Sequence, residues 1–183
     1  MTVSKPEPWL RGPAPGVPAV LQPAAHAFLL ALEDVEAAVS DLTVDQLWLE
    51  PGGAASAGFH LMHLAGSTDR LLTYAREQAL SAAQRAALAA ERTMTSPYPS
   101  LDELLTGWRT TVEGALRQLA TTPEATLTHA RLVGRAQLPS TVLGLLFHAA
   151  EHAQRHAGQL VTTSKILRGL GLFPPPVERK IID

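Results

Sequence analysis

His148-Ala-Ala-Glu151-His152-Ala-Gln-Arg155-His156-Ala-Gly-Gln159 lies within a proline-free run over residues 140–170. An α-helix turns about 100° per residue, so side chains four apart lie nearly above one another. His148, His152 and His156 therefore form a stripe drifting by about 40° per step, and Gln159 returns to within about 20° of His152. Two imidazoles at i and i+4 can address one metal ion from a single helix face. A second His-bearing helix could supply a third ligand, and His60 and His63 stand together upstream. The pattern predicts a long helix carrying a site. It says less about the reaction run there.

Working back from this run, three more long helices are expected. Residues 20–40 place Phe28, Leu29, Leu32, Val35 and Val39 on one face, with Pro23 tolerated in the first turn. Thr43-Val-Asp-Gln46 is a capping-box pattern for a short turn through Trp48, closed by Pro51-Gly52-Gly53. Ser56 can cap a second long helix over residues 56–80. Its apolar face is Leu61, Leu64, Ala65, Thr68, Leu71, Leu72 and Ala75, beside a polar face of His60, His63, Ser67, Arg70 and Tyr74. Residues 81–92 are Ala-rich and read as a further helix or an extension, and residues 95–99 as a loop. Ser100-Leu-Asp-Glu103 is a second capping box. Leu101, Leu105, Trp108, Val112, Leu116 and Leu119 follow it at helical spacing and should stop near Thr122-Pro123. Residues 124–139 suggest two short extended pieces around Gly134. The last helix starts near Ser140, with Val142, Leu145, Leu146, Ala149, Ala153, Leu160 and Ile166 apolar. Gly169, Gly171 and Pro174-Pro175-Pro176 end it. The fold class expected is all-α, a four-helix bundle preceded by a proline-rich N-terminal arm. The arm occupies residues 1–18, with Pro6, Pro8, Pro13, Pro15 and Pro18, and one domain occupies 19–183.

Composition narrows the function. A chain of 183 residues can bury a proper core in one domain. A net charge of -2 gives no reason to expect nucleic acid or a membrane surface as partner. With no cysteine, disulfides, thiolate ligands and a cysteine nucleophile are excluded, so a metal site must use histidine, carboxylates and water. The N-terminus lacks the apolar core of a signal peptide and no run spans a bilayer, so a cytoplasmic protein is expected.

Of the seven histidines, His26 and His129 read as ordinary hydrogen-bonded or solvated side chains. His148, His152 and His156 together with His60 and His63 read as a metal site. Three neutral imidazoles leave a divalent ion its full charge and an open position, which favours a reactive site over a closed structural one. Glu151, about 100° from His152, is expected at the periphery, and neither it nor Asp69 is excluded as a ligand. Gln159 could orient a ligand or bound water, or simply hydrogen-bond between helices. Arg70 and Tyr74 could recognise an anionic substrate; a surface side chain lying along the helix is the simpler reading of each. Ser67 has no base placed to activate it.

Leu42-Thr-Val-Asp-Gln-Leu47, Phe59-His-Leu-Met-His63-Leu64 and the stretch from His148 to Gln159, in this order and spacing, resemble the DinB/YfiT-like superfamily. The most specific piece is the H-x-x-x-H-x-G-Q ending behind a second histidine helix. The resemblance covers the chain from the first helix to the fourth. It implies an up-down-down-up four-helix bundle and a metal, usually nickel or zinc, held by three histidines. Carried over position by position, the ligands would be His63, His152 and His156, with His60 and His148 as neighbours. It also implies frequent homodimers. Members include metal-dependent hydrolases, S-transferases using bacillithiol or mycothiol, and a maleylpyruvate isomerase. The proline-rich arm and the Ala-rich segment depart from the simplest pattern of that family.

The function expected is a metal-dependent enzyme whose three-histidine site activates a small thiol or water against a small-molecule substrate. A thiol cofactor suits a chain without cysteine of its own. Water would need a general base, for which only Glu151 or a spare histidine offers itself, and this weights the reading toward a thiol-dependent S-transferase. A metal-dependent hydrolase, a non-enzymatic stress-related binding protein with a structural metal, and a metal-free bundle with a polar histidine groove are the alternatives.

Overall fold

The computed structural model describes residues 5–91 and 93–171. Six helices, α1 Gln22–Val39, α2 Val44–Leu47, α3 Ala57–Ala75, α4 Ala82–Ala90, α5 Leu101–Thr121 and α6 Val142–Gly169, are joined by 3-10 turns and one hairpin. The four long ones form the bundle. α6 packs on α1 and α3, and α5 packs on the same two helices. The all-α architecture expected from the periodicity is therefore the one observed.

Local chemistry sets the helix starts. Thr43, Ser81 and Ser100 each accept the backbone N–H three residues on, while Gln46, Gln84 and Glu103 reach back to complete capping boxes. Ser56 caps α3 through Phe59 N at 3.1 Å, and Thr141 caps α6 through Gly144 N at 3.0 Å. Each such bond satisfies an amide that the first turn leaves open. α3 ends at Ala75 rather than near residue 80. Arg76 is followed by Glu77 at φ 61°, Glu77 N donates to Tyr74 O and Gln78 N to Thr73 O. That is a Schellman ending with a glutamate in the left-handed position usually held by glycine. The end of α6 is at Gly169. The expected Pro174-Pro175-Pro176 stop lies outside the described residues.

The core lies along the bundle axis. Phe28, Leu61, Leu64, Trp108, Val112, Leu119, Leu146 and Leu160 are wholly buried. Each large apolar side chain removed from water contributes roughly 1.5–3 kcal/mol before conformational entropy is charged against it. Alanines carry much of the helix contact: Ala24, Ala25, Ala31 and Ala38 on α1, and Ala149, Ala150, Ala153 and Ala157 on α6. On α6 the buried position near the C-terminus is Leu167, whereas Ile166 is 41% exposed, so the expected apolar stripe is displaced by one residue there.

The segment before α1 lies on that helix. Arg11 Nη1 donates to Glu33 Oε1 at 2.7 Å and Lys5 Nζ to the same oxygen at 3.1 Å. Gln22 holds Ala14 from both sides and Val17 O at 2.8 Å, and His26 Nε2 donates to Gly12 O at 3.0 Å. His26 thus has the ordinary hydrogen-bonded role expected of it. Between α5 and α6, Ala130–Val133 (β1) pairs antiparallel with Leu138–Thr141 (β2), with Gly134 at φ 68° in the turn. No helix among the described residues is long and apolar enough to cross a membrane.

Candidate metal centre

Packing α3 against α6 brings His63 to the stripe of His152 and His156. Each offers one ring nitrogen, and the three nitrogens lie within 4.8 Å of one another. His63 Nε2 and His152 Nε2 are 3.0 Å apart, and the His156 ring centroid is 4.5 Å from each of the other two rings. Ligands about 2.1 Å from a tetrahedral ion stand roughly 3.4 Å apart, so this spacing suits one ion between them. His129, in contrast, is exposed on the approach to the hairpin.

Protonation follows from the partners. His63 Nδ1 lies 2.9 Å from Glu91 Oε2. A carboxylate only accepts, so Nδ1 is the donor to Glu91 and Nε2 is the nitrogen that faces His152. His60 Nδ1 lies 3.0 Å from His156 Nδ1, which leaves Nε2 of His156 as its nitrogen free to ligate. Buried His152 Nδ1 has no hydrogen-bond partner among the described residues, so its ring is held by packing and by what Nε2 meets. Burial, reinforced by the neighbouring His63, pushes His60 and His152 down to about 4 and His156 down to about 3. All three are neutral at physiological pH, and neutral imidazole is the form that binds a metal. The donor set could hold a metal ion and offers no thiolate.

Behind His63 stands a buried ion pair that the sequence did not disclose. Glu91, just beyond α4, is 6% exposed. Arg70 on α3 donates to it through Nη1 at 2.6 Å and Nη2 at 3.2 Å. Burial raises the Glu91 carboxyl, but the hydrogen bonds from His63 and Arg70 outweigh it and hold the group below the usual glutamate range. Gly66 makes room for the pair: a Cβ there would meet Arg70 Nη1 at 2.7 Å and run into Glu91 Oε1. Arg70 is therefore not a surface side chain, and its guanidinium is already committed to Glu91. Glu91 escaped notice because it sits 28 residues from His63 in an Ala-rich segment, and no spacing rule connects them.

The other expected site residues fall further out. His148 is half exposed, its ring 5.5 Å from His152, and its Nδ1 lies 3.4 Å from Glu151. Glu151 accepts from Arg155 at 2.5 Å, the peripheral place expected of it. Gln159 is exposed and lines a cleft of about 500 Å³ with His60, Arg155 and Thr162. Tyr74 lies apart, in a cleft with Arg85, Leu88 and Arg135. Asp69 accepts from Gln84 at 2.7 Å and is exposed. Ser67 donates to His63 O at 2.6 Å, a helix-internal bond with no nucleophilic arrangement around it.

A family model of the DinB superfamily matches residues 27–160, from within α1 to the turn of α6 just beyond the histidines. No curated protein matches the chain. The matched span covers well over half of the sequence, and the protein belongs to the DinB superfamily.

Proposed function

We propose that this DinB-superfamily protein is a metal-dependent enzyme, with His63, His152 and His156 holding one zinc or nickel ion and a small thiol as the group activated there. The observation that carries the reading is the convergence of three imidazoles from two helices within 4.8 Å, one of them backed by a buried carboxylate. Metal-binding histidines characteristically give their second N–H to such a partner, which fixes tautomer and orientation. When bound, a divalent ion supplies Lewis acidity that lowers the pKa of a coordinated thiol or water.

The residues around the cluster favour thiol over water. Activation of water calls for a free base within hydrogen-bond reach. Glu91 is taken up by Arg70 and His63, and Glu151 by Arg155. A thiol needs no such base once its proton is acidified, and the chain has no cysteine to compete for the ion. His60 keeps the His156 ring turned, and Phe59 stacks on His63 at 5.5 Å, shielding one face of that ring from water. Metal-dependent hydrolysis is the second reading, with His148, half exposed beside His152, as the base it would require. A homodimer, which the family resemblance implies, and a cytoplasmic location, expected from the sequence, belong to this proposal.

The test is cobalt substitution followed by titration with a low-molecular-weight thiol. A sulfur-to-cobalt charge-transfer band that appears on adding thiol, and is absent in His152→Ala, is the expected result. A fully loaded protein whose spectrum ignores thiol would overturn the thiol reading and leave hydrolysis.

A further inference from the structure

Two clefts are lined by residues that touch the histidine cluster. The one reached by His60 sets Arg155, Gln159 and Thr162 beside Ala54, Ala55 and Ile166. The other, about 490 Å³, is reached by Phe59 and Glu91, which both touch the His63 ring. Its remaining walls include Trp48, Tyr98, Met94 and Glu50. That volume falls in the range of sites for small organic ligands.

Three aromatic rings line this second cleft. Trp48 and Tyr98 stack with centroids 4.5 Å apart and planes 14° from parallel. Trp48 is pressed against α3 where Gly58 leaves space; a Cβ there would meet its ring at 2.7 Å. Its indole N–H is buried without an acceptor among the described residues. Tyr98, 41% exposed, comes from the loop before α5. Tyr98 packs on Trp48 yet keeps much of its ring open at the cleft, where it offers a π-face to a planar ligand. Among the described residues no basic side chain lines the cleft, and the exposed Glu50 stands there without one, so an anion is disfavoured.

We propose that the cleft of Trp48, Phe59 and Tyr98 binds the acceptor substrate, a planar aromatic or conjugated molecule without negative charge, presenting its reactive atom toward His63. The substrate role rests on the enzymatic reading above; binding to the cleft does not, so the two fail separately.

The experiment measures binding of 2-naphthol and 2-naphthoate to the full-length, metal-free, thiol-free protein by calorimetry. The expected result is one site for 2-naphthol, about tenfold weaker in Tyr98→Ala and restored in Tyr98→Phe, which keeps the ring. 2-Naphthoate should bind at least about tenfold more weakly than 2-naphthol. Tyr98 is on the surface, so its removal leaves the core intact, and Leu88→Ala in the separate cleft of Tyr74 should leave affinity unchanged. Equal affinity in wild type and Tyr98→Ala, loss of affinity in Leu88→Ala instead, or tighter binding of the carboxylate would overturn the proposal.

Discussion

Glu91→Gln separates what the buried carboxylate does for the fold from what it does for the metal. Glu91 is 6% exposed and Arg70 8%, and they share two hydrogen bonds. Removing the charge leaves the guanidinium buried without its counter-ion. Breaking such a pair costs about 3–5 kcal/mol. Glutamine keeps one acceptor oxygen, so the low end, about 3 kcal/mol, applies, a loss of about 6–12 °C in Tm for a chain of this size. The same substitution weakens the acceptor that fixes the proton on His63 Nδ1. Loss of such a partner typically lowers metal affinity 10- to 100-fold, or about 1.4–2.8 kcal/mol. The assay is competition for zinc against a chromophoric chelator, alongside thermal unfolding of the metal-free protein. Arg70→Met is the companion, because it also breaks the ion pair but leaves Glu91 facing His63. It should destabilise comparably and weaken zinc less. If Glu91→Gln melts early yet binds zinc as wild type does, the carboxylate serves Arg70 alone and the reasoning about His63 is wrong.

Three further outcomes are expected. Gly66→Ala, which alters neither charge, should push Glu91 away from its pocket and weaken zinc by about tenfold; unchanged affinity would mean the pair can shift without consequence for His63. Chelation of the loaded protein should lower Tm by about 5–10 °C if the ion was present at about 100 times its Kd, since that linkage is worth about 2.7 kcal/mol; an unchanged melt with removal verified would deny that the metal ties α3 to α6. On α1, hydrogen bonding to Arg11 holds Glu33 below its ordinary value. The stability it contributes is full above the ordinary glutamate range and fades as pH falls through the lower native value. The Tm difference between wild type and Glu33→Gln should therefore vanish in acid; a difference that persists there would remove the Arg11–Glu33 pair as its cause.

The long helices were legible because their signals are local and periodic. Thr43 with Gln46 and Ser100 with Glu103 announce helix starts within four residues, and Trp108, Val112 and Leu119 trace a buried face at helical spacing. The end of α3 was not legible, because its left-handed position is filled by Glu77 and composition marks no stop there. The buried side of α1 was only partly so: alanines 24, 25, 31 and 38 form it along with Phe28 and Val35, and small residues give a weak hydrophobic signal. At the site, the i, i+4 pair His152 and His156 was readable from geometry. The choice of His63 over His60 needed the family resemblance. The physical distinction lies in tertiary contacts, His60 pairing with His156 through Nδ1 and His63 pairing with Glu91. Arg70 read as a surface side chain for the same reason: its partner is 21 residues away in sequence, on a segment that only packing brings back.

The most direct test of the three-histidine centre is metal stoichiometry by mass spectrometry on tag-free wild-type protein and His63→Ala, with His26→Ala as the control outside the cluster. About one zinc or nickel per chain in wild type and His26→Ala, and none retained by His63→Ala, is the predicted result for a site completed across α3 and α6. Equal metal content in all three proteins, or none in wild type after reconstitution with either ion, would contradict it.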